Sequence, residues 1–281
     1  MNVITRQDIL AHQTEVPWPL IYQVEQDLLL CQAMVALFND PFLKSQIAMR
    51  GGTVLHKVHL PPASRYSEDI DLVAIGDRPE EHIRAAIKRV LQPVLGTHKR
   101  WGWESLKLAV RNAAKPSRIL RVVYERPSIA EPGRTLSVVI EANVTERQPY
   151  LPVVAMPFSV PFRGKMLATH VNSFDLPEML GTKLRALFQR RRGRDLFDLY
   201  WAFSTAGGSL SPEHVIDAFQ HYMALEGSTV PRNEFLEQLD IRLADRGFCS
   251  DMGPLLRNDL SYDPQAAGVH IRNNLLAHLP P

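Results

Sequence analysis

The chain has 281 residues, of which 45% are hydrophobic and 22% are charged, a balance typical of a soluble globular protein with one large domain or two modest ones. The formal net charge of +2 excludes a protein that is basic throughout, so attraction to nucleic acid would require a local patch. Cys31 and Cys249 have no zinc-site spacing and exclude a disulfide scaffold. We find no secretory signal and no apolar run near the ~18 residues of a membrane span. We therefore expect a cytoplasmic protein with no membrane partner.

The first third of the chain predicts helices around a short strand-turn-helix unit. Residues 20–38 carry apolar positions at helical spacing and predict a helix that faces the core. A short apolar strand over 46–49 then meets a Gly-Gly turn, and we expect a helix from Thr53 that ends before Pro61. Residues 67–75 alternate as a half-buried strand does, and 79–95 begin with Pro-Glu-Glu and predict an amphipathic helix.

The rest of the chain changes from strands to helices near Asp175. Strands are predicted at 105–110, 119–124, 136–144 and 165–170, and helices at 176–189, 194–204, 212–225 and 231–244. Trp101 and Trp103 are candidates for stacking on bases, although packing is the commoner role of such side chains. This order predicts a mixed α/β domain over 1–170 followed by a helical domain over 171–281.

Asp69 and Asp71 are the sharpest chemical feature of the sequence. Residues i and i+2 of a strand share a face, so both carboxylates should project together. Two adjacent carboxylates repel one another unless a cation lies between them, and Mg²⁺ is commonly held by one or two carboxylates together with substrate phosphates. The pair alone is equally compatible with an exposed strand face that has no ligand.

The neighbouring residues favour a phosphate site. Gly51, Gly52 and Thr53 lie between a strand and a helix, where glycine lets a phosphate approach the backbone and the helix start offers free N–H groups. Ser67 precedes the aspartate pair, and its hydroxyl is a candidate donor to a phosphate. Glu141, on a downstream strand, is a candidate third acidic ligand, although a solvated strand residue is nearly as good an interpretation.

A basic segment follows at 183–194. It contains six cationic side chains and no acidic one, and such a field suits a triphosphate or a nucleic-acid backbone. A basic, solvated helix end is the alternative, since cations are favoured near a helix C-terminus. The six side chains are Lys183, Arg185, Arg190, Arg191, Arg192 and Arg194.

The motifs GGTVLHK, RYSEDIDL and LPEMLGTKLRALFQRRRGRDLFDLYWAF together resemble the AbiEii/AbiGii toxins, a family of the polymerase-β-like nucleotidyltransferase superfamily that includes the MenT toxins. The resemblance implies an α+β fold, with a nucleotidyltransferase core of mixed sheet and flanking helices before a C-terminal helical bundle. It also implies that Lys183 is the nucleotide-phosphate lysine and Asp198 a second functional residue, preceded by the pair Arg194 and Asp195. Arg190, Arg191 and Arg194 would contact substrate.

The resemblance further implies a reaction and its partners. A nucleoside triphosphate (NTP) would donate a nucleotide to an acceptor hydroxyl, with Mg²⁺ or Mn²⁺ held by Asp69, Asp71 and Glu141. The acceptor would be the 3′ end of tRNA, translation would be blocked, and a cognate antitoxin would neutralise the protein. Two alternatives stay open. One is nucleotidylation of a small molecule or a protein, and the other is a non-catalytic regulator that binds nucleotide or RNA.

One geometric condition follows for the two motifs. Lys183 and Asp198 would be roughly 22 Å apart in one unbroken helix at ~1.5 Å per residue, too far for both to reach one nucleotide. If both serve one site, the chain must turn between them. We expect that turn at Gly193, with Asp195 in the first turn of the next helix, where an anion is favoured.

Overall fold

The computed structural model describes residues 4–95, 106–112 and 118–281, and the chain divides into two compact units. Unit 1 comprises Met1–Pro149 and Val153–Phe174, and unit 2 comprises Tyr150–Pro152 and Asp175–Pro281. The border therefore follows Phe174 and not residue 170. Trp101 and Trp103 lie outside the described residues, so their predicted roles stay predictions.

Seven strands of the described residues form one mixed sheet in unit 1, in the order β3-β4-β5-β2-β1-β7-β6. β2 pairs antiparallel to β1 and parallel to β5, and β1 pairs parallel to β7. The strands are β1 (Ile47–Arg50), β2 (Asp69–Ala74), β3 (Leu106–Asn112), β4 (Arg118–Pro127), β5 (Thr135–Asn143), β6 (Val154–Phe162) and β7 (Lys165–Ser173).

The helices of unit 1 flank this sheet. They are α1 (Arg6–Gln13), α2 (Ile21–Asn39), α3 (Pro41–Gln46), α4 (Gly51–Val54), which continues as a π-helical turn over Leu55–His59, and α5 (Glu80–Leu95). In α2, Leu28, Leu29 and Leu30 are all buried, and three consecutive buried positions mean that the helix is covered on more than one face. Polar residues of α2, such as Glu25 and Asp27, are therefore buried as well.

Unit 2 is helical. Its helices are α6 (Leu176–Gln189), α7 (Gly193–Thr205), α8 (Pro212–Leu225), α9 (Arg232–Leu243), α10 (Arg246–Ser250) and α11 (Pro264–Asn274), with short 3₁₀ turns at Gly207–Ser209 and Leu276–His278. The helix α6 packs on α7 and α8, and α7 packs on α11. This arrangement confirms the predicted α+β class. None of the helices in the described ranges combines the length and hydrophobicity that a membrane crossing requires.

A buried carboxylate explains why residues 150–152 belong to unit 2. Glu178 of α6 is fully buried, and it accepts hydrogen bonds from the backbone N–H groups of Tyr150 and Leu151 at 2.7 and 2.9 Å. The Tyr222 hydroxyl donates to the same carboxylate at 2.5 Å. A buried carboxylate with three donors is strongly held, so this short segment is fastened to the helices.

The sequence missed some elements and misplaced others. β6 was not predicted because Pro157 and Pro161 argue against a strand, but β6 lies at an edge of the sheet, where proline is tolerated. The helix expected from Thr53 begins two residues earlier, at Gly51. The short helices α1, α3 and α10 and the longer α11 were also not predicted.

Candidate active site

The acidic pair lies on β2 in the middle of the sheet. Asp69 and Asp71 are half-buried and share one face of the strand. On β5, Glu141 is directly opposite Asp71, so its side chain is on that face too. The structure thus brings the three predicted acidic residues to neighbouring positions of one sheet face.

Glu141 has a cationic partner on the neighbouring strand. Arg121, its cross-strand neighbour on β4, places Nε 3.3 Å from Glu141 Oε1. Within the described ranges, the three carboxylates do not bring ligand atoms together within 4.8 Å of one another. The two aspartates fit a hard cation such as Mg²⁺ or Mn²⁺ because both offer oxygen ligands on a half-exposed face. Glu141 would have to exchange Arg121 for the metal to serve as a third ligand.

Gly51 is a glycine because Asp71 approaches its backbone. A Cβ at this position would lie 2.1 Å from Asp71 Oδ2, and Gly51 has a φ of +84°. Both the contact and the left-handed backbone therefore disfavour any other residue at this position. A phosphate was predicted to approach the backbone here. That interpretation was incomplete, because in the structure the space beside Gly51 is taken by the candidate metal ligand.

We expect Gly51→Ala to displace Asp71 and to lower activity by about 10²-fold, since a misplacement of about 1 Å in a catalytic group has that effect. The control is Gly133→Ala, because Gly133 has a φ of +91° but nothing within 4 Å of its would-be Cβ. Both variants pay the left-handed backbone penalty of roughly 1–2 kcal/mol. Thermal melts and turnover of both variants separate strain from displacement. Equal turnover in the two variants would refute the role assigned to the Asp71 contact.

Arg65 is a site residue that the sequence analysis did not single out. It is buried, its Nη1 donates to the Tyr66 carbonyl oxygen at 3.0 Å, and its Nη2 would lie 2.3 Å from a Cβ on Gly52. Gly52 therefore makes room for a guanidinium. The sequence showed only that an arginine lies two residues before Ser67. Its burial, which sets it apart, is seen only in the structure.

Thr53 and Ser67 are less accessible than predicted. Thr53 is fully buried, and its hydroxyl donates to the Asp69 carbonyl oxygen at 2.5 Å. This hydroxyl therefore holds the start of β2 against α4. Ser67 is 8% exposed and lies next to this junction.

A buried ion-pair cluster anchors the turn that follows α4. Lys57 Nζ lies 2.5 Å from Asp27 Oδ1, and His12 Nε2 lies 2.8 Å from Asp27 Oδ2. His12, Asp27 and Cys31 also bring three potential metal-ligand atoms within 4.8 Å. Burial raises the pKa of Cys31 to about 12, so its thiol is protonated at neutral pH, whereas metals bind the thiolate. Since Lys57 already neutralises Asp27, we interpret the cluster as an anchor between α2 and the Gly51–Val54 helix.

This anchor should make unit 1 sensitive to acid. Although burial opposes ionisation of Asp27, the Lys57 ammonium and the His12 hydrogen bond outweigh it and hold the Asp27 pKa well below its usual range. A lowered carboxyl pKa contributes stability that is present above the unfolded-state pKa of about 3.9 and is lost as the pH falls through the folded-state pKa. We expect wild type to exceed Asp27→Asn in unfolding free energy at pH 7 and this difference to shrink below about pH 4. Denaturant titrations of both proteins from pH 7 to 3 measure it, and a difference independent of pH would contradict the assignment.

In unit 2, Lys183 and Asp198 are brought together. Lys183 Nζ lies 2.8 Å from Asp198 Oδ2 and 3.6 Å from Asp195 Oδ1, and all three side chains are buried. Arg190 donates to both oxygens of Asp195, from Nε at 2.7 Å and Nη2 at 2.8 Å. The result is a network in which the buried Lys183 and the exposed Arg190 balance two buried carboxylates.

The predicted turn between the two helices is confirmed, but glycine is required at position 193 for a different reason than the one predicted. The helix α6 ends at Gln189 and α7 begins at Gly193, with Asp195 in its first turn. Gly193 is not among the residues with positive φ, so no special backbone conformation requires it. Instead, a Cβ there would lie 2.1 Å from the Phe248 carbonyl oxygen. Close packing of α10 is what excludes a side chain.

The arginine run is more neutralised than its sequence suggests. Arg194 donates to Asp251 through its backbone N–H at 3.0 Å and through Nε at 3.2 Å, and Arg185 pairs with Glu226 at 3.3 Å. The positive field inferred from this segment is therefore partly offset, because carboxylates from distant parts of the chain pair with it. Arg191 is exposed, and in the described parts of the chain it has no ion pair within 4 Å.

Comparison with known proteins decides the family. The model of the nucleotidyltransferase AbiEii toxin family, of type IV toxin–antitoxin systems, matches residues 32–267. The chain belongs to the AbiEii nucleotidyltransferase toxin family. The match includes the acidic pair of unit 1 and the Lys183 network of unit 2, and it confirms the resemblance found in the motifs.

A solved structure supports the fold of this AbiEii-family protein. The chain is similar to MenT4, a nucleotidyltransferase toxin from Mycobacterium tuberculosis H37Rv, with a TM-score of 0.58 and 18% identity over 99% of this chain and 100% of that one. At this identity the likeness concerns the fold alone. Comparison with curated proteins gives no match.

Proposed function

We propose that this AbiEii-family protein is a metal-dependent enzyme that transfers a nucleotide from an NTP to an acceptor hydroxyl. The observation that carries the proposal is the pair Asp69 and Asp71, which share a half-exposed face of β2 while Gly51 leaves room for Asp71. Two adjacent carboxylates on one strand face repel one another, and a divalent ion held by both would relieve that repulsion. A metal bound there would neutralise the phosphates and the charge that develops on them.

The reaction would be a substitution at the α-phosphorus. A bond forms between the acceptor oxygen and the α-phosphorus, the bond to the bridging oxygen breaks, and pyrophosphate leaves with the electron pair. The hydroxyl proton passes to a carboxylate or to solvent, and Glu141 is the carboxylate that we assign to this step if it is not a metal ligand. The backbone of Gly51, Gly52 and Thr53 and the hydroxyl of Ser67 would hold the triphosphate.

We further propose that Lys183 and Asp198 act in the same reaction. Both belong to the region that the family model matches, and both are buried in a network beside a basic turn. A buried ammonium between two carboxylates has a fixed position, which suits a residue that orients one phosphate. Arg190, Arg191 and Arg194 at the α6–α7 turn would contact the acceptor.

We propose tRNA, modified at its 3′ end, as the acceptor. The exposed Arg191 and Arg192 beside this network suit an extended polyanion better than a small molecule. Modification of the 3′ end would prevent aminoacylation and block translation. Since the family consists of toxins of toxin–antitoxin systems, we also propose a cognate antitoxin as a partner and action in the cytoplasm.

The test is a transfer assay in which only the acceptor varies. Wild-type protein is incubated with each α-labelled NTP and Mg²⁺, in parallel with purified tRNA, ribosomal RNA, a small-molecule extract and total protein. We expect label on tRNA, and we expect removal of the tRNA 3′ end by periodate and base to abolish it. Label on a small molecule or a protein would replace the proposed acceptor, and no label in any reaction would favour the non-catalytic regulator.

A further inference from the structure

Arg242, in the last turn of α9, is a buried cation that forms no ion pair within 4 Å in the described parts of the chain. It is 5% exposed, and one amino group, Nη2, donates to the Phe188 carbonyl oxygen. Its Nε and Nη1 have no hydrogen-bond partner among the described residues. A buried guanidinium with unused donors is costly unless an anion satisfies them.

Asp195, whose charge acts on Arg242, does not supply that anion. Asp195 attracts Arg242 electrostatically, but both of its carboxylate oxygens accept hydrogen bonds from Arg190, and one lies 3.6 Å from Lys183 Nζ. The exposed Arg191 adds a second positive charge beside Arg242. Burial, followed by repulsion from Arg191, lowers the pKa of Arg242, in keeping with a cation that lacks compensation.

We propose that Arg242, together with Arg191, binds a phosphate group of the substrate beside the Lys183–Asp195–Asp198 network. A guanidinium with two free N–H groups matches phosphate oxygens in geometry and charge. Arg191 lies in the turn between α6 and α7, and Arg242 lies on α9. A phosphate bound by both would therefore lie between α9 and this basic turn. Phosphate binding at Arg242 does not depend on the proposed function. Only the source of the phosphate, the NTP or the acceptor RNA, rests on that function.

Two variants and one control test the role of Arg242 without requiring catalysis. Arg242→Gln removes the charge, and Arg242→Lys keeps the charge but removes the planar set of donors. The control is Arg232→Gln, because Arg232 also lies on α9 and also donates to a backbone carbonyl, that of Leu279 at 3.1 Å. Binding of inorganic tripolyphosphate and of tRNA is measured by calorimetry for each protein, and folding is checked by thermal melts.

We expect Arg242→Gln to weaken binding of one probe by about 10- to 100-fold, as loss of a charged hydrogen-bonding group does. Arg242→Lys should restore part of the loss, and Arg232→Gln should bind both probes as wild type does. Loss for tripolyphosphate assigns the site to the NTP, and loss for tRNA alone assigns it to the acceptor backbone. Unchanged binding of both probes would overturn the proposal, even if nucleotide transfer is established.

A spectroscopic measurement on wild type keeps the test valid if the Gln variant does not fold. The arginine Nε–Hε NMR signal of Arg242 is assigned as the signal missing in Arg242→Lys. We expect it to shift on addition of tripolyphosphate or tRNA, because a phosphate would accept the currently unused Nε–H. A signal that stays in place with both probes at saturation would contradict phosphate binding at Arg242.

Discussion

Asp69→Ala and Asp71→Asn should each lower nucleotide transfer by on the order of 10³-fold or more, because a catalytic metal supplies several kcal/mol of charge stabilisation. The fold should survive both changes. The Thr53 hydroxyl bonds to the backbone carbonyl of Asp69 and not to its side chain, and Asn at 71 keeps the shape that fits against Gly51. Single-turnover rates with saturating NTP and Mg²⁺ measure the loss.

The matched control is Glu68→Ala, which removes the exposed carboxylate adjacent in sequence to the pair. This variant lowers the local negative charge by the same amount but leaves both proposed ligands intact. Because solvent and salt screen an exposed charge, transfer should stay within about twofold of the wild-type rate. If Asp69→Ala or Asp71→Asn retained full activity with Mg²⁺ present, the proposed metal site would be wrong.

Lys183→Met should have the largest effect on stability. Removal of one partner from a buried ion pair typically costs about 3–5 kcal/mol because the other charge stays buried without compensation, and Asp198 is fully buried at 2.8 Å from Lys183 Nζ. Transfer should also be lost. Denaturant titration gives the change in unfolding free energy. The control is Arg272→Met, since its partner Asp240 is about two-thirds exposed and exposed pairs contribute about 0–1 kcal/mol.

A double variant distinguishes the ion pair from simple loss of packing. In Lys183→Met with Asp198→Asn, no uncompensated charge is left at position 198, so the double variant should be more stable than Lys183→Met alone. Transfer should remain absent, because a functional lysine is still missing. If the two substitutions were additive in unfolding free energy, the ion pair would not be the reason for the loss.

The placement of the candidate acidic residues in unit 1 could largely be predicted from its sequence because it depends on local spacing. Asp69 and Asp71 share a face in any β-strand, and Gly51-Gly52 marks a turn in any context. The contact between Asp71 and Gly51 could not be predicted, because it depends on the antiparallel register that places Arg50 opposite Asp71. The motif therefore indicated the residues but not which of them touch.

Charge balance was the harder part to predict. The run at 190–194 seemed unopposed because its partner Asp251 lies far along the chain, and Lys57 gave no sign that Asp27 of α2 would be its partner. Pairing between residues distant in sequence is set by tertiary packing, which hydrophobic periodicity does not encode. Arg242 is the clearest example, because neither its burial nor the lack of partners for its Nε and Nη1 among the described residues can be read from the sequence.

The most direct test of the central claim compares two positions of the label in the NTP. Protein is incubated with tRNA, Mg²⁺ and an NTP that is labelled at either the α- or the γ-phosphorus, with and without a chelator. Nucleotidyl transfer predicts α-label on the acceptor and γ-label in released pyrophosphate, with both abolished by the chelator and by Asp71→Asn. Transfer of the γ-label to the acceptor, or α-label transfer that is unchanged in the chelator, would contradict metal-dependent nucleotidyl transfer at Asp69 and Asp71.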